Sequence, residues 1–152
     1  MQYSRHQLVL FPTSSETTPL TPSALHTCLR KLGLLGETLG KGYYTTGKDF
    51  LSLLCFLGCS PDIELKPHPD KVFCYVQLPE NETALDLHLI RKPTLNVTNW
   101  VIIGNIHEAE AVPDATLLSA LEAASGERWK YAYRLLADGA VCSTVLSAGT
   151  AL

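Results

Sequence analysis

Three apolar runs in the middle of the chain constrain the fold most: Val72–Leu78, Leu85–Ile90 and Trp100–Gly104. The first and third are rich in β-branched and aromatic residues, as strands are. In the second, Leu85, Leu87 and Leu89 alternate with Asp86, His88 and Ile90, which predicts a strand with one partly wet face. The links between the runs are short, which favours an antiparallel sheet over a repeated βαβ unit. Pro79–Thr83 reads as the link of a hairpin between the first two runs, and the third is reached through Pro93. Period two returns near the C-terminus. Trp129, Tyr131, Tyr133 and Leu135 fall on one face, and Lys130, Ala132, Arg134 and Leu136 on the other. Asp138-Gly139 is a two-residue hairpin signal, so Ala140–Leu146 is expected to return as the last strand.

Helical signals flank this region. Thr21 is suited to cap a first helix and Pro22 to open it. Leu25, Cys28, Leu29 and Leu32 form its stripe, and Gly33 supplies the stop, with Leu34 placed to fold back on Leu29. A glycine-rich connector, Gly36–Gly47, follows. Within Lys48–Leu57, the run from Phe50 on is apolar on all sides except Ser52, which predicts a buried core helix ended by Gly58. A third helix is expected after the cap Asp114, with Leu117, Leu118 and Leu121 inward and Gly126 as its stop. The expected fold class is α+β, in the order ααβββαββ. It has an antiparallel sheet of about five strands, with about three helices packed mainly on one face. The expected organisation is a single domain, 1–152, in which residues 1–20 are an extended and loop segment.

The 152 residues suit one domain, and 46% hydrophobic with 18% charged residues is an ordinary globular balance. A net charge of −3 lacks the basic footprint of a nucleic-acid binder. Lys130 and Arg134 also lie across the strand from Trp129, Tyr131 and Tyr133, as in a core-facing strand with a wet back. No window approaches the ~20 apolar residues of a membrane span, and Leu8–Phe11 is too short for a signal-peptide core. The expected location is the cytoplasm, so the sequons at Asn81 and Asn96 are read as chance matches. The five cysteines, Cys28, Cys55, Cys59, Cys74 and Cys142, then read as free thiols, mostly buried as small hydrophobes. Cys55 and Cys59 have the wrong spacing for a redox or zinc turn, and no metal or cofactor is expected.

Gly42-Tyr-Tyr-Thr-Thr-Gly47-Lys48-Asp49 matches a phosphate-binding loop except at its last position. There a carboxylate replaces the magnesium-binding hydroxyl, and no buried strand precedes the glycine. What remains is a weak anion site at Gly47 and Lys48, beside a helix start. Asn105, His107, Glu108 and Glu110 form the densest cluster of chemically able side chains, after the third central strand and before Asp114. A histidine among carboxylates suits acid–base work, but the second histidine of a metalloprotease string is missing, with Ala111 in its place. His6, His26, His68 and His88 read as scattered surface residues. The leading reading is a non-catalytic, protein-binding accessory or regulatory domain that associates with a partner or a second copy through 128–146. The alternative is an enzyme or small-ligand-binding protein with its site around His107, Glu108 and Glu110.

Overall fold

The longest inner strand is formed by His-Gln-Leu-Val-Leu-Phe-Pro, near the start of the chain. In the computed structural model, which describes residues 2–13, 20–57 and 63–137, this run is bonded on both sides and its middle residues are buried. The elements in chain order begin with β1 (Gln2–Tyr3), β2 (His6–Pro12), α1 (Pro22–Leu32), β3 (Leu35–Gly40) and β4 (Tyr43–Thr46). Then come α2 (Phe50–Leu53), β5 (Leu54–Phe56), β6 (Val72–Phe73), β7 (Tyr75–Gln77) and β8 (Leu85–Leu87). The last are β9 (Leu95–Val97), β10 (Val101–Gly104), β11 (Ala111–Pro113), α3 (Ala115–Ser125) and β12 (Trp129–Leu135).

The main sheet has six strands in the order β12-β2-β10-β7-β4-β3, all antiparallel. Three two-stranded pairings surround it: β1 with β6, β5 with β11, and β8 with β9. The chain is therefore α+β with an antiparallel sheet, as expected, but with six strands in place of about five and in a different order. Register sorts the side chains into two faces. Leu8 pairs with Ile103 and Tyr133, and Ile103 with Val76, so these share the first face. All three helices feed that face. Leu25 and Leu29 of α1, Phe50 and Leu53 of α2, and Leu117 and Leu121 of α3 join Leu8, Leu10, Val76, Val101 and Ile103 in one buried cluster. On the second face Val9, Phe11, Ile102 and Ala132 pack under Leu87, Leu89 and Trp100. Coverage of both faces explains why β2 reads as a continuous apolar run without alternation.

The helix ends follow the sequence signals. The Thr21 side chain accepts from Ala24 N–H, and Gly33 at φ 95° closes α1, its N–H on Arg30 O and that of Leu34 on Leu29 O. Asp114 caps α3 through Thr116 N–H, and Gly126 ends it at φ 74°.

Four expectations are corrected. Gly36–Gly47 is no connector but the β3–β4 hairpin, turned by Lys41 (φ 55°) and Gly42 (φ 83°), the positive pair that a tight hairpin turn requires. Lys48–Leu57 is not a core helix: one turn, Phe50–Leu53, gives way to β5 at Leu54, whose backbone is extended. Leu51 and Leu57 are 52% and 58% exposed, and Cys55 is exposed rather than buried. The all-round apolar pattern records a switch of period, with Phe50, Leu53 and Leu54 inward. The expected hairpin between the first two central runs does not form: β8 pairs with β9, carrying leucines onto the second face, while β7 pairs with β10 and β4. Finally, β12 has no simple wet back, because Ala132 is buried while Tyr131 and Leu135 on the other face are exposed. Gly58, Cys59, Asp138-Gly139, Ala140–Leu146 and Cys142 lie outside the described residues. No helix among the described residues is long and apolar enough to cross a membrane.

The thiols separate accordingly. Burial pushes the Cys74 thiol up to about 12, with the Glu110 carboxylate adding to the shift. A thiol reagent is expected to label Cys55 of the native protein rapidly and Cys74 only on unfolding, as peptide mapping of the labelled sites checks. Labelling of Cys74 as fast as Cys55 would contradict the packing described.

Candidate functional site

The turn after β10 is held in an unusual backbone conformation. Asn105 (φ 67°) and Ala109 (φ 62°) are both left-handed without being glycine. Such residues persist only where their surroundings hold them. Ile106 between them is fully buried and anchors the turn. Asn105 N–H and Ile106 N–H both donate to His6 O, at 2.8 and 3.3 Å. His107 N–H donates to Glu110 Oε1 at 2.9 Å, and His107 Nδ1 lies 3.3 Å from the same oxygen. Glu110 N–H closes the loop on His107 O at 2.9 Å.

These bonds bring the His107 ring onto His6, with centroids 3.7 Å apart and planes 26° from parallel. The structure thus joins His107 and Glu110 and adds His6, which sequence reasoning left among the scattered histidines. No local signal could have found it, since the partnership is made by the β2–β10 register. Glu108 points elsewhere and pairs with Arg91. The Asn105 carbonyl faces the Cys74 thiol at 4.0 Å, and the residue borders a cleft of about 320 Å³ with Ile63, Glu64, Lys71 and Val72. Among the described residues no group of three or more histidine, cysteine or acidic side chains is arranged to hold a metal ion.

Gly47 and Lys48 lie between β4 and the single turn of α2. Gly47 N–H is taken by Leu34 O at 2.8 Å, and Lys48 is exposed. The first five residues of the phosphate-loop lookalike, Gly42 to Thr46, are hairpin turn and strand, so their backbone serves the sheet. Of the other histidines, His68 accepts from Asp70 N–H and His88 contacts Thr94. His26 packs on Tyr44 beside an open cleft of about 470 Å³ that also borders Lys41 and Glu80. No local pattern marks this cleft, because a helix, a hairpin turn and the segment Leu78–Glu80 form it together.

Beside the histidine pair runs an aromatic strip. Tyr131, Tyr133 and Leu135 share the first face of β12, the two rings meet edge to face at 6.1 Å, and Leu135 lies across the ladder from His6. The Tyr133 hydroxyl donates to Ala111 O at 2.8 Å, tying β12 to β11.

The His6 imidazole is held below its ordinary value, first by burial, then by repulsion from His107 and Arg5, with Glu110 opposing. The unfolded chain therefore takes up a proton at a higher pH than the folded one. This contribution to stability is complete above the unfolded value of 6.5 and is lost as pH falls through the lower folded value. The urea midpoint of the wild type is expected to fall between pH 7 and 5 more steeply than that of His6→Gln. Parallel profiles would show that the pair does not carry the effect.

Comparison of the chain with protein-family models, with curated proteins and with solved structures finds no match.

Proposed function

We propose that this chain is a protein-binding module whose docking surface is the strip formed by Tyr131, Tyr133 and Leu135, continued by His6 and His107. One observation carries the reading: Tyr131 and Leu135, at 38% and 48% exposure, expose apolar surface on the same side of one strand, on either side of Tyr133. Tyrosine is favoured at interface centres because it buries a large, stiff, amphipathic side chain at little entropic cost. The Arg91–Glu108 pair and Glu110 supply a charged rim.

The face rather than the strand edge is the docking element. On β12 the Tyr133 carbonyl is taken by Ile90 N–H at 2.8 Å, and Trp129 N–H by Glu122 Oε2 at 3.1 Å, which interrupts any added strand. The free thiols Cys28, Cys55 and Cys74 support a reducing, cytoplasmic setting. A photo-crosslinking residue at Tyr131 should yield discrete protein adducts in cells, and one at Glu37, on the far edge strand β3, should not. Equal adduct patterns from both positions would overturn the reading.

A second reading, an enzyme or small-ligand protein acting through His107, is favoured by the Glu110 contact. A carboxylate on Nδ1 orients the ring and leaves Nε2 as the base. Glu108, engaged by Arg91, takes no part. Small-molecule fragments that shift the His107 ring resonances and leave Tyr131 unmoved would favour it.

A further inference from the structure

The cleft between α1 and the β3–β4 hairpin has a volume of about 470 Å³, within the range of small-ligand sites. Its walls belong to fixed elements. The chain enters α1 through a reciprocal amide pair: Leu20 N–H donates to Asn99 Oδ1 at 2.8 Å, and Asn99 Nδ2 donates to Leu20 O at 2.9 Å. Asn99 itself is buried. Arg30 Nη1 donates to Gly36 O at 3.2 Å and ties the other end of α1 to β3. Across the cleft, Leu78 N–H donates to Gly42 O at 2.9 Å, and a Cβ on Gly42 would overlap Leu78 O. This close approach seats the hairpin turn on Leu78 and Pro79, both buried and both bordering the cleft.

Several chemically able side chains line this one space. The His26 and Tyr44 rings meet with centroids 5.2 Å apart and planes 49° from parallel, which makes one wall aromatic. Lys41 stands on the hairpin turn and Glu80 beyond Pro79, and both border the cleft. The two charges are opposite, yet among the described residues no ion pair joins them. The Ser23 and Tyr44 hydroxyls and the His26 ring nitrogens likewise take no hydrogen-bond partner there. Burial and then the Glu80 carboxylate raise the Tyr44 phenol above its ordinary value, with Arg30 opposing, so the hydroxyl keeps its proton and stays a donor.

We propose that this cleft binds a small molecule in which a flat ring carries an anionic group. The ring packs on the His26 and Tyr44 wall, where aromatic contacts add to the area buried. The anionic group pairs with Lys41, with the Tyr44 and Ser23 hydroxyls as further donors. Glu80 sets the selectivity. One carboxylate offsets one lysine, so the cleft has no excess charge to collect simple anions, and the ring must supply part of the affinity. The site lies by β3 and β4, at the opposite edge of the main sheet from β12, so it stands or falls separately from the protein-binding reading.

The test is a titration of the full chain with adenosine monophosphate and, separately, indoleacetate, at ionic strength fixed with chloride. Adenosine and indole supply the rings alone, and inorganic phosphate and acetate the anions alone. The backbone amides of Ser23, Lys41 and Tyr44 are followed by NMR. The expected result is a saturable shift with at least one ring anion, about tenfold or more tighter than with its separate ring or anion. The affinity should fall about threefold or more in both His26→Ala and Lys41→Asn, as loss of a ring contact or an exposed charge pair implies. Both variants spare the core: alanine suits the helix, and asparagine tolerates the left-handed backbone of Lys41 (φ 55°). Saturation by the phosphate compound alone assigns a phosphate ligand, by indoleacetate alone a carboxylate. A linear drift with both ring anions, equal binding of the separated parts, or an affinity unchanged in either variant would overturn the proposal.

Discussion

Ile103→Ala is expected to lower the free energy of unfolding by about 2–5 kcal/mol, a large share of the ~5–15 kcal/mol typical of a domain. Ile103 sits on the central strand between Leu8 and Val76 and is fully buried in the cluster that joins the sheet to all three helices. Truncation leaves a cavity that three helices and two neighbouring strands cannot all close. Leu51→Ala is the contrast. The residue lies in the most apolar stretch of the sequence but is half exposed, so a change within about 0.5 kcal/mol is expected. Urea midpoints of the two variants, measured together, check both values. A large loss at Leu51 would restore the buried helix that the apolar run suggested.

The second large effect is expected at Gly104→Ala, where a single methyl should cost about 1–3 kcal/mol or more. A Cβ there would overlap the Tyr75 ring. The ring cannot swing aside: Tyr3, Tyr43 and Phe73 pack around it, and its hydroxyl is bonded to Gln7 and Ser4. The backbone of β10 must shift instead, which strains the ladder to β2 and β7. The cost should shrink when the ring is removed, so Gly104→Ala combined with Tyr75→Leu should destabilise by less than the sum of the single changes. Strict additivity in the denaturation midpoints would show that the ring is not the obstacle.

Legibility followed locality. The caps Thr21 and Asp114 and the stops Gly33 and Gly126 were readable because each acts within one helical turn. The strand character of Val72–Leu78, Trp100–Gly104 and Trp129–Leu135 was readable from residue type. Pairing was not, because β8 could meet β7 or β9 with similar turns, and the choice rests on which face needs cover. The Lys48–Leu57 run misled because a helix turn followed by a strand has no single period. Of the candidate site, His107 and Glu110 were found by their closeness in sequence. His6 and the Tyr131–Leu135 strip meet them only through the ladders of β2 with β10 and β12.

The central claim is that the first face of β12 is an interface, and paired affinity purification with quantitative mass spectrometry tests it most directly. The wild type, a Tyr131→Glu/Leu135→Glu variant and a Leu51→Glu control are compared, with all three shown to be folded by their melting curves. The account predicts proteins, or a second copy of the chain, retained by the wild type and the Leu51 control and lost from the double variant. The same set retained by all three would contradict it.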